Sequence, residues 1–136
     1  MDFINTCFET TASYRSIAYY SHLIPVAIAL FLGFFVLFKS KFSLLSKIFL
    51  LFVSSFSLWL VGDVITWTSN NYNFVVAAWA SLDYINVLFY LLAVYFFAVL
   101  IRGKDISTWQ KIILLLFAMP AWWIAFSGGS IEGFNQ

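Results

Sequence analysis

A chain of 136 residues that is 63% hydrophobic and only 10% charged is not an ordinary soluble domain, which sits near about one half apolar and about one quarter charged. So small a chain has too little interior to hide a 22% aromatic share, so the composition specifies an integral membrane protein. The net charge of +1 offers no field for nucleic acid, and the single cysteine, Cys7, excludes an intrachain disulfide.

The N-terminal stretch MDFINTCFETTASYR carries Asp2 and Glu9 where a signal peptide has its basic region, and no short apolar segment with a small-residue cleavage site follows. Phe3, Ile4, Cys7 and Phe8 fall at helical spacing, which suits a short interfacial helix. Four long apolar runs come next, at about residues 17–38, 44–68, 76–101 and 110–127. Each reaches the roughly 20 residues that cross about 30 Å of hydrocarbon. The links KSKFSLLSK, SNNYNF and RGKDISTWQ are short and polar, so neighbouring helices should run antiparallel. Ser107 or Asp105 is placed to cap the last helix.

The basic residues orient these spans. Lys39, Lys41 and Lys47 flank the first link, and Arg102, Lys104 and Lys111 flank the third, against only Arg15 on the opposite side. That asymmetry puts both links in the cytoplasm and both termini outside. Tyr19, Tyr20, Trp67, Trp79 and Tyr84 then form an outer aromatic belt, with Trp109 at the inner boundary. The expected fold is an all-α, up-down, four-helix integral membrane bundle, one domain over residues 1–136, multi-pass in the plasma (inner) membrane. The chain reads either as a small complete protein or as the front of a longer membrane region.

Against this background LWLVGDVITW (58–67) stands out, because a carboxylate at membrane depth costs a few kcal/mol or more. Asp63 lies about 7 Å inside the outer end of its helix; Asp83 and His22 sit at similar depth on the third and first. Trp59, Asp63 and Trp67 recur every four residues, Asp83, Asn86 and Tyr90 follow one face, and His22, Val26, Ala29 and Gly33 line up on another. A wet pocket opening outward, lined by His22, Trp59, Asp63, Trp67, Asp83, Asn86 and Tyr90, accounts for all three faces. Plainer readings stand beside it. Asp83 suits the start of a helix, where a carboxylate is favoured. His22 beside two tyrosines suits an interfacial histidine. The set is too thin for a metal site, and no cofactor is expected. Pro25 and Pro120 lie inside spans and should kink them, the latter reorienting Trp122 and Trp123. Ala121, Ala125 and Gly129 form a small-residue stripe for helix packing.

From SLWLVGDVITWT through WASLDYINVLFYLLAVYFFAVLIRGKDIS to ILLLFAMPAWWIAF, the chain resembles the N-terminal seven-helix sensor region of bacterial histidine kinases and related signalling proteins. Trp59 in the second helix, Trp79 and Tyr84 in the third, its Phe-rich end before a basic link, and Pro120 in the fourth carry the likeness, over about residues 45–127. The resemblance implies an N-out input module, of which only the first four helices are present and no kinase element. It assigns no catalytic residue.

Three functions follow. The first is a sensor or input module that detects an external or membrane-dissolved signal through the polar pocket. The second is a small oligomeric transporter or proton-coupled exporter, although such proteins place their carboxylate in the first helix. The third is an accessory subunit of a membrane complex, with Phe31, Phe34, Phe35 and Phe38 against lipid or a partner. Lipid is the expected surrounding, with self-association or a membrane partner open. An enzyme is not expected, because no nucleophile–base pair is visible.

Overall fold

The computed structural model describes residues 12–69 and 71–126. They form four helices, α1 (Ala12–Lys39), α2 (Leu44–Thr68), α3 (Tyr72–Arg102) and α4 (Thr108–Phe126). The all-α reading is correct, and α2 has the expected bounds. α1 begins at Ala12 rather than Ile17 and α3 at Tyr72 rather than residue 76. Apolar runs mark where a helix meets lipid, whereas the backbone keeps its helical bonds through polar first turns. The proposed interfacial helix at Phe3–Phe8 and Gly129 of the small-residue stripe lie outside the described residues.

Local chemistry sets the helix ends. The Ser43 side chain accepts from the Ser46 N–H to start α2, and Asn71 accepts from the Phe74 N–H to start α3. Gly103, at φ 66°, closes α3 with its N–H on the Val99 carbonyl at 2.9 Å. At α4 the cap is Ser107: the Gln110 N–H meets its Oγ at 3.4 Å, and Gln110 Oε1 accepts from the Ser107 N–H at 3.2 Å. This is a reciprocal capping box. The first link turns through Lys41 (φ 51°) and Phe42 (φ 59°). Left-handed backbone at such residues costs roughly 1–2 kcal/mol each.

Three helices, Tyr19–Lys39, Leu44–Thr68 and Asn73–Arg102, are long and apolar enough to cross a membrane. The apolar part of α4, Thr108–Ile124, is shorter; the 19 residues of the described helix rise only about 28 Å. α1 continues through Pro25 and α4 through Pro120. Two residues beyond Pro120, the Trp122 indole N–H is buried without a hydrogen-bond partner among the described residues.

The helices lie in a row. α1 packs on α2, α2 on α3, and α3 more sparsely on α4, while no other pair of helix backbones approaches closely among the described residues. The central member α2 buries Val53, Leu60 and Val64 together with Ser46, Ser55 and Ser57. The serines suit this place because they are small and bond to their own helix: Ser55 Oγ donates to the Phe52 carbonyl at 2.8 Å and Ser57 Oγ to that of Val53 at 2.7 Å. Gly33 brings α1 down onto α2. A Cβ there would stand 2.6 Å from Val53 Cγ2 and 2.9 Å from Leu50 Cδ1. Gly62 does the same against α3, where a Cβ would meet Leu82 Cδ2 at 2.4 Å. Below it, Phe52 stacks on Phe89 (4.9 Å between centroids), Phe56 packs tilted against the same ring (5.7 Å), and Phe49 packs on Phe96 (5.5 Å). Near the basic links, Ile48, Val99 and Ile106 form a buried cluster with Leu114 of α4 against it.

Candidate functional site

The polar site is assembled by the α1–α2 seam. Gly33 meets Leu50 and Val53, and eleven residues back along α1 His22 meets Asp63. His22 Nε2 and Asp63 Oδ2 are 2.9 Å apart, with side chains 21% and 22% exposed. The contact is partly shielded, sits near the ends of α1 and α2 opposite the basic links, and ties the two helices together. The ring's other nitrogen, Nδ1, lies 2.8 Å from Ser21 Oγ. On the far side of the carboxylate, Trp67 Nε1 donates to Asp63 Oδ1 at 3.2 Å. Thr66 Oγ1 donates to the Asp63 backbone carbonyl at 2.7 Å. A continuous chain, Ser21–His22–Asp63–Trp67, therefore crosses from α1 to α2. Pro25, three residues after His22, cannot donate to the Ser21 carbonyl four residues back, so α1 lacks one rung of its ladder beside this chain.

Asp63 also stands at the edge of the second seam. Phe49, Phe56 and Asp63 are spaced by seven and so share one line on α2; the two phenylalanines pack on α3, whereas the carboxylate turns to α1. The Gly62–Leu82 contact fixes the level of α3. It puts Asp83 within about two residue rises (about 3 Å) of Asp63 in depth.

Of the sequence-selected residues, His22, Asp63 and Trp67 come together. Asp83 is half-buried at their level, and Trp59 and Asn86 are half-buried. Tyr90 is not a pocket wall: it is 61% exposed, because its neighbour Phe89 takes the position facing Phe52 and Phe56, and successive helical residues point about 100° apart. The described contacts make this a junction of α1 and α2, with Asp83 of α3 near its level. Ser21 was missed because adjacent helical residues do not normally share a face. No three His, Cys, Asp or Glu side chains cluster among the described residues.

A second polar group sits at the opposite end. Asp105 receives the Lys111 ammonium at 2.6 Å and the Tyr95 hydroxyl at 2.8 Å, and Lys111 Nζ stands 5.6 Å from the Tyr95 ring centroid. The Lys111 hydrogen bond first, then that from Tyr95, holds the Asp105 carboxyl below its ordinary range. This exposed clip joins α3, its link and α4.

Compared with known proteins, the chain matches no family model, no curated protein and no solved structure.

Proposed function

We propose that the protein is a membrane-embedded input module whose signal is read at the junction of α1 and α2. The observation that carries this reading is the 2.9 Å contact between His22 Nε2 and Asp63 Oδ2. Histidine can carry its ring neutral or protonated, and here both ring nitrogens already have partners. In the neutral ring, Nε2–H donates to Asp63 while Nδ1 accepts from the Ser21 hydroxyl. On protonation both nitrogens donate, and the hydroxyl rotates to accept. No hydrogen bond is broken, but the cross-helix bond becomes a charge-assisted ion pair, which is stronger. Protons, or an external solute that competes for the carboxylate, then bias how tightly α1 is held to α2. Trp67 on α2 donates to this pair, Asp83 lies near its level on α3, and Tyr19 stands one turn before His22 on α1. The resemblance to the sensor region of histidine kinases supports an input role.

Spin labels at the outer ends of α1 and α2, in full-length protein in nanodiscs, test the reading. The interhelical distance distribution should shift over a pH titration or on adding a solute that competes for the carboxylate, and Asp63→Asn and His22→Gln should each remove the shift. A wild-type protein whose distances ignore both pH and added solutes would falsify it. Proton-coupled cation flux into vesicles, lost in Asp63→Asn, would transfer the same residues to an exporter.

A further inference from the structure

A different part of the molecule shows features of a ligand site. On α1, Phe31, Phe34, Phe35, Phe38 and Lys39 line an open crease of about 470 Å³. These phenylalanines lie on the side of α1 away from Gly33 and Leu37, the residues buried against the rest of the protein. The crease therefore faces the bilayer. Its floor is ordered: Phe31 stacks on Phe35 at 6.3 Å between centroids, and Phe38 meets Phe42 edge-on at 5.6 Å. The ring of Phe42 reaches that place because the link adopts left-handed backbone at both Lys41 and Phe42, strain of the kind held at functional positions.

Charge closes the other end. Lys39 lines the crease itself, and Lys41 and Lys47 flank the same link. No carboxylate is within ion-pair distance of these three lysines among the described residues. The one acidic side chain of the links, Asp105, is taken by Lys111. We infer that the crease binds an anionic phospholipid, with one acyl chain along the phenylalanine wall and the headgroup phosphate on Lys39 and Lys41. From Phe31 to Lys39 the wall rises about 12 Å, close to the depth of one leaflet, about half of a ~30 Å core. A partner helix seated on the wall would cover the Lys39 ammonium with apolar surface and strip its water without replacing it. An anionic phospholipid brings the apolar chain and the counter-charge in one molecule, on the face where basic juxtamembrane residues meet an anionic leaflet.

Native mass spectrometry of the full chain tests this, after reconstitution with equal parts of phosphatidylglycerol and phosphatidylcholine of the same acyl chains. The wild-type protein should retain phosphatidylglycerol preferentially. Lys39→Gln and Lys41→Gln should each lower that retention about fivefold, the equivalent of about 1 kcal/mol per basic residue near an anionic surface. Phe31→Ala with Phe35→Ala should lower retention without changing net charge, and Lys104→Gln, a basic residue away from the crease, should leave it unchanged. Unaltered gel-filtration profiles and helix content confirm that each variant is folded. Retention indifferent to headgroup overturns the inference, as does an equal loss in Lys104→Gln. So does a wild-type dimer that Phe31→Ala with Phe35→Ala dissociates while lipid retention stays the same.

Discussion

At the scale of single residues, the contact between His22 and Asp63 has a measurable energy. Intramembrane hydrogen bonds average about 0.6 kcal/mol, up to about 1.7 kcal/mol, and this contact is only about one fifth exposed. A double-mutant cycle of His22→Ala and Asp63→Ala, read by unfolding in mixed detergent micelles, should give a coupling of about 1 kcal/mol; purely additive losses would mean the two side chains do not act together. The Asp105 clip predicts a pH effect whose sign is fixed. Its carboxyl is held below the ordinary range by Lys111 and then Tyr95, so the clip favours the folded link above about pH 4, where free aspartate ionises. That contribution disappears as the pH falls through the lower folded value. Limited proteolysis across residues 102–110 should accelerate in that acid window in the wild type, and should be fast at neutral pH in Asp105→Asn. The sequence shows the ionisable residues at both places, because charges stand out among apolar runs. It does not show Ser21 joining His22, since that bond depends on how the side chains turn on adjacent positions. Asp105, a candidate cap in the sequence, forms the clip instead, and Ser107 with Gln110 caps the helix.

For whole elements, the two seams of α2 depend on two glycines. Gly33→Ala would set a Cβ 2.6 Å from Val53 Cγ2, and overpacking of this kind costs about 1–3 kcal/mol. The midpoint of unfolding in dodecyl sulfate should fall accordingly, and Val53→Ala in the same chain should recover part of the loss. An unchanged midpoint in Gly33→Ala would mean that α1 does not dock closely on α2 at this glycine. The role of Gly33 was legible from the line His22, Val26, Ala29 and Gly33, because small residues at helical spacing permit close approach. The bounds of α2 were legible too, since polar links stop it on both sides. The outward turn of Tyr90 was not, because Asp83, Asn86 and Tyr90 share a helical face on paper while Phe89 wins the packed position.

For the molecule as a whole, four apolar runs show four helices in the sequence but not which of them touch. An apolar face reads the same toward lipid as toward protein, so a closed bundle and an open row have equal sequence signatures. The row makes its own prediction. Among the described residues the α4 backbone approaches only that of α3, with Leu114 reaching the cluster that holds Ile48 of α2 far from His22, so ending the chain after Gly103 should leave α1 to α3 helical, with the His22–Asp63 coupling undiminished. Circular dichroism and the same double-mutant cycle measure both; collapse of α1–α2 coupling in the shortened protein would show that α4 supports the junction at a distance. The row also bears on how the protein is made. Each helix after α1 packs on the one synthesised just before it, so every pairing joins helices adjacent in the chain. Pairing of this local kind forms quickly, so the chain can assemble one hairpin at a time as it leaves the ribosome, and His22 can meet Asp63 before α3 has been translated.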